Sequence, residues 1–105
     1  QMIAFCYHLS VKLMGRDLIQ RFARTHPDSR SSLKSWTQAI ESNSFKHFVE
    51  LKKTIGSADQ VKPHTVFNIS GNKYRLIAVV DYALQSVSIE RVLTHAAYDE
   101  RRWRK

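Results

Sequence analysis

Cysteine occurs once, at Cys6, so the chain cannot form an internal disulfide. That usage fits a reducing cytoplasm. Glycine appears three times and proline twice, too sparsely for a disordered linker. No apolar run approaches the ~20 residues of a membrane span. The opening "MIAFCY" is too short for a secretion signal and lacks its basic lead. Phosphate loops of the GxxxxGK[ST] and GxGxxG kinds are missing, as are an HExxH metal motif and a GxSxG nucleophile elbow. The five histidines, His8, His26, His47, His64 and His95, are scattered without metal-ligand spacing. No metal and no cofactor is therefore expected.

What is present is positive charge. Seventeen Lys and Arg stand against nine Asp and Glu, a net charge of +8 on 105 residues. A small basic protein is suited to nucleic acid or another anionic surface. The charge runs along the whole chain, and only the tail "RRWRK" packs it densely. With 43% hydrophobic residues the chain reads as one globular domain over residues 1–105.

The periodicity changes midway. "MIAFCY" suggests a short strand. Beyond it, Val11, Met14, Leu18 and Phe22 recur at helical spacing behind Ser10 as N-cap. "THPDSR" closes that helix. Asp28 or Ser29 caps a second, striped by Leu33, Trp36 and Ile40. Ser44 starts a third with Phe45, Phe48, Leu51 and Ile55, ending at Gly56. "SADQVKP" reads as a loop. Next come "HTVFNI", "KYRLIAVVDY" and "VSIERVLTH", rich in β-branched and aromatic residues and separated by "SGN" and "ALQS". They read as an antiparallel meander, with Gly71 or Asn72 supplying the positive φ of the first turn. "AAYDERRWRK" reads as a short helix or an ordered tail. The fold expected is α+β: N-terminal helices packed on a small antiparallel β-sheet.

Strand parity places Lys73, Arg75, Ile77, Val79 and Asp81 on one face of the middle strand. The more apolar set, Tyr74, Leu76, Ala78, Val80 and Tyr82, should face the helices. In the last strand Val87, Ile89, Arg91, Leu93 and His95 share a face, and parity does not say which face is buried. The residues with chemistry to offer are Lys73, Arg75, Arg91, His95, Tyr98 and Asp99. They suit cleavage of RNA without a metal: a base for the 2′-hydroxyl, cations for the phosphorane, an acid for the leaving 5′-oxygen. Spacing alone serves a solvated basic surface at least as well, and a non-catalytic RNA- or DNA-binding module equally.

"VFNISGNKYRLIAVVDY" and "VSIERVLTHAAYDE" resemble the HigB toxin family of bacterial type II toxin–antitoxin systems, within the RelE-like group. The matching residues are Phe67-Asn68-Ile69, then Gly71-Asn72-Lys73-Tyr74-Arg75-Leu76, then Thr94-His95-Ala96-Ala97-Tyr98-Asp99. Ala97 stands where the family commonly has an acidic residue, and Ser70 where it has glycine. The helical half is similar more loosely. The resemblance implies a RelE-like fold and a metal-independent mRNA endonuclease working at the A site of the small ribosomal subunit. It also implies a HigA-type helix-turn-helix antitoxin as partner. On that footing Arg75 and Arg91 are expected to stabilise the phosphorane and Lys73 to bind the phosphate. His95, then Tyr98, is expected to move protons, Tyr98 alternatively stacking on a base, with Asp99 orienting them. Lys52, Lys53, Arg101, Arg102 and Arg104 are expected to bind RNA backbone.

Overall fold

The computed structural model describes residues 11–100. The strand expected in "MIAFCY", the Ser10 cap and the tail residues Arg101, Arg102, Trp103 and Arg104 lie outside the described residues. In chain order come β1 (Lys12–Met14), α1 (Arg16–Thr25), a 3-10 turn (Pro27–Ser29), α2 (Arg30–Glu41) and α3 (Phe48–Thr54). Then follow β2 (Asp59–Val61), β3 (His64–Ile69), β4 (Tyr74–Asp81), β5 (Ser86–Thr94) and α4 (His95–Asp99).

The expected meander β3–β4–β5 forms the centre of a larger sheet, ordered β1-β5-β4-β3-β2. β1 runs parallel to β5, so the sheet is mixed rather than antiparallel. Both unexpected strands are three-residue edges. β1 falls where a helix was anticipated: Val11 donates to the Asn43 carbonyl and Lys12 to the Gln85 carbonyl, so sheet pairing overrides the local pattern. Gly15 then separates strand from helix at φ +92°. A Cβ there would sit 2.8 Å from the Ile89 carbonyl oxygen, so both conformation and proximity call for glycine. β2 lies within "SADQVKP", where Asp59, Gln60 and Val61 pair with β3. Three polar-rich residues carry no strand signal of their own.

The Leu33–Trp36–Ile40 stripe buries as anticipated, whereas Met14 of the first stripe lies on β1 and is exposed. Leu33, Trp36 and Ile40 of α2 and Leu51 of α3 are buried against Phe67, Leu76, Ala78 and Val87 of the sheet. The Trp36 ring meets Phe67 edge-on, centroids 5.2 Å apart. Phe45 is buried but precedes α3, which starts at Phe48 rather than at Ser44. Gln85 ties that loop down, receiving the Phe45 N–H at 3.0 Å.

Parity holds in β4: Tyr74, Leu76 and Ala78 join the helix-side core, while Ile77 joins a second cluster with Val66, flanked by Val61, Leu93 and Tyr98. In β5 it breaks. Ile77 pairs with Arg91 but Ala78 with Ile89, so Glu90 has no partner across the ladder. This bulge switches faces. Val87 and Ile89 point to the helices, whereas Arg91 and Leu93 point the other way, beside Ile77 and Arg75.

Candidate active site

The site grows from the end of the β4–β5 ladder. Tyr74 pairs with Thr94 and Arg75 with Leu93. Thr94 then N-caps α4, its hydroxyl accepting the Ala97 N–H at 3.2 Å. The cap fixes α4 where the strand ends, and the His95 N–H donates to the Lys73 carbonyl at 2.9 Å. One helical turn sets His95 and Asp99 four residues apart on one face. Nδ1 of His95 lies 3.1 Å from an Asp99 carboxylate oxygen, which orients the imidazole and leaves Nε2 for other work.

Tyr98, on the same turn, packs against the Val66–Ile77 cluster. The Arg75 guanidinium lies 5.5 Å from its ring centroid, within cation–π range. Arg75 is only 8% exposed. Its guanidinium donates to the carbonyls of Asn72 (3.2 Å) and Tyr74 (3.1 Å) and to Oδ1 of Asn72 (2.7 Å). Among the described residues no carboxylate forms an ion pair with it. Neutral acceptors hold the fork in place without cancelling its charge, which suits an incoming phosphate. Arg91, exposed on the same face, stands opposite Ile77, one same-face step from Arg75.

Lys73 has a different partner. Its Nζ lies 3.0 Å from Asp28, a residue of the 3-10 turn on the helix side. The Tyr74 hydroxyl donates to the same carboxylate at 2.8 and 3.0 Å. The Tyr74 hydroxyl, then Lys73, hold the Asp28 carboxyl below the usual carboxylate range. Asp28 in turn raises the pKa values of Lys73 and Tyr74. His26 flanks this cluster, stacked on Phe22 at 4.1 Å and edge-on to Tyr74 at 5.3 Å.

The structure therefore brings Arg75, His95, Tyr98 and Asp99 together at the junction of β4 and α4, with Arg91 alongside on the same sheet face. Lys52 and Lys53 sit on α3 in the helix layer. Lys52 is engaged there, donating to the carbonyls of Gly56 (3.0 Å) and Ala58 (2.7 Å). Sequence reasoning missed Asn72, read as a turn former: Ser70 and Gly71 carry the positive φ, and Asn72 serves Arg75. It also missed Asp28, read only as a cap; no local signal links it to a lysine 45 residues away.

A groove of about 600 Å3 opens between α1 and α2, with Arg16, Ile19, Ala23, Leu33 and Glu41 among its lining. None of the candidate residues is in its lining. Among the described residues no cluster of three His, Cys, Asp or Glu side chains is arranged to hold a metal, and no helix is long and apolar enough to cross a membrane.

The family described as the RelE-like toxic component of a toxin–antitoxin system matches residues 29–101, from the end of the 3-10 turn through α2, α3 and the strands β2 to β5 to α4. The chain belongs to the HigB toxin family. Relatives of similar length carry the same family name. "mRNA interferase toxin HigB" of Escherichia coli (strain K12) is 31% identical over 90 residues, covering 83% of this chain and 86% of the relative. "mRNA interferase HigB" of Escherichia coli O157:H7 and of Shigella flexneri match to the same extent. The HigB match includes Arg75, Arg91, His95, Tyr98 and Asp99, and its first matched residue is Ser29 at the end of the 3-10 turn.

Proposed function

We propose that this HigB-family chain is a cytoplasmic mRNA endoribonuclease that cuts mRNA on the translating ribosome without a metal. In this reading a HigA-type helix-turn-helix antitoxin restrains it. The observation that carries it is Arg75: a buried guanidinium held by neutral acceptors, beside a histidine and a tyrosine on one helical turn. The names of the similar proteins support the substrate class.

The 2′-oxygen attacks the adjacent phosphorus as a base takes its proton. The P–O5′ bond breaks, and an acid protonates the departing 5′-oxygen, leaving a 2′,3′-cyclic phosphate. Arg75 and Arg91 stabilise the phosphorane, the kind of developing charge on which fixed cations act most strongly. His95, oriented by Asp99, moves one proton, and Tyr98 moves the other or stacks on a base. Lys73, engaged with Asp28, is assigned to the turn rather than to the phosphate. Lys53 and the arginines of the tail contribute a salt-dependent encounter with RNA.

The test is cleavage of a translated mRNA carrying a single 2′-deoxy nucleotide at the mapped cut, with and without ribosomes. The reading predicts that the substitution abolishes that cut and that naked mRNA stays intact. Cleavage at the 2′-deoxy nucleotide itself would overturn the mechanism. RNA binding with no cleavage on ribosomes would leave only a binding module.

A further inference from the structure

The Asp28 cluster has no part in the chemistry just described, yet it touches the segment that aims it. We propose that Asp28 is a positioning residue for the β4–α4 site, acting through Lys73 and Tyr74 on the hairpin turn that holds Arg75 and His95. The proposal rests on the reading above for its catalytic consequence, though not for its geometry.

The turn between β3 and β4 is exposed, and Ser70 and Gly71 both take positive φ. Its internal bond, from the Lys73 N–H to the Ser70 carbonyl, is long at 3.4 Å. The turn nonetheless supplies three contacts to the site. The carbonyl and side-chain oxygens of Asn72 accept from Arg75, and the Lys73 carbonyl accepts the His95 N–H. A weakly self-bonded turn with that duty needs outside support. Two ties come from the helix layer: Ser70 Oγ to Ser32 Oγ at 3.1 Å, and Asp28 to both Lys73 and Tyr74.

Asp28 is a firm anchor. It follows Pro27 in a 3-10 turn whose Ser29 N–H and hydroxyl both donate to the His26 carbonyl, at 2.9 and 2.7 Å. Ser29 is fully buried. Misplacing a reacting group by about 1 Å can cost on the order of 100-fold in rate, so a loosened turn should be visible in kcat.

The experiment compares the full-length chain with Asp28→Asn, Asp28→Glu and Tyr74→Phe. It measures kcat and KM on translated mRNA, thermal melts, and NMR signals of the His95 amide and the Arg75 Nε–H. Asp28→Asn should lower kcat about 10- to 100-fold with KM little changed. It should also shift the His95 and Arg75 signals while core methyls such as those of Leu51 stay put. Asp28→Glu should regain part of the loss. Unmoved His95 and Arg75 signals overturn the proposal, as does unchanged kcat despite moved signals, or activity that merely tracks the folded fraction. If Asp28→Asn does not fold, Tyr74→Phe decides: it removes one Asp28 contact at constant shape and should act in the same direction, whereas wild-type signals and kcat would overturn the proposal. An inactive wild-type chain would count against the ribonuclease reading, and the NMR shifts would still test Asp28.

Discussion

Lys73 and Arg75 are two residues apart, yet their charges are handled in opposite ways. Lys73 has a side chain 65% exposed and pairs with Asp28. Arg75 is 8% exposed, lies near Tyr98, and among the described residues its guanidinium hydrogen-bonds only to neutral acceptors. An exposed ion pair contributes little stability. A buried cation carries a desolvation cost that hydrogen bonds offset only in part. The paired, exposed cation thus reads as an architectural tie, and the buried one as a charge kept available for an anion. For these two neighbours, the partner rather than the exposure indicates the role.

Arg75→Met would test this contrast most severely. The methionine keeps most of the apolar stem against Tyr98 and removes the charge. Cleavage should fall at least about 100-fold, the scale seen when a preorganised electrostatic contact is removed, with the protein still folded by its melt. His95→Gln comes next, at about 100-fold or more, since it removes proton transfer but leaves the phosphate clamp. Residual RNA binding by this variant, measured by filter retention, should match wild type. Arg75→Lys should cost less than Arg75→Met but remain well below wild type, because a point charge cannot replace the two-nitrogen fork on Asn72 and Tyr74.

The smallest effect concerns stability and pH on the Lys73 side. The depressed Asp28 pKa means its contribution is present above the ordinary carboxylate range and is lost as pH falls through the lowered value. The raised pKa values of Lys73 and Tyr74 act in the opposite window: their contribution is present below their ordinary values and is lost as pH rises through the raised ones. Melts of wild type and Asp28→Asn should therefore differ by a constant amount near neutral pH and converge at both extremes. A gap that persists unchanged into strong acid would show that Asp28 is not held by these partners.

The hairpin and the companion stretch after it were legible because their signals are local. β-branched runs flank a glycine turn, and alternation in β4 separated Arg75 from Leu76 correctly. The stripe of Leu33, Trp36 and Ile40 was equally local. What escaped depends on distant partners. β1 and β2 are three-residue edges that exist because β5 and β3 offer ladders. The bulge at Glu90 decides on which face Arg91 lies, and no residue type announces it. The Asp28 tie joins residues 45 and 46 apart in the chain. Asn72 was read for its backbone, whereas its side-chain oxygen holds the guanidinium.

In the proposed mechanism Arg75, which has no carboxylate partner among the described residues, supplies the charge that cleavage needs, and the paired Lys73 does not. The most direct measurement is the single-turnover cleavage rate of one translated mRNA by folded Arg75→Met and folded Lys73→Met, side by side. Arg75→Met should be slower by at least about tenfold, consistent with the loss of a transition-state contact. Equal rates, or a Lys73→Met protein slower than Arg75→Met, would contradict it.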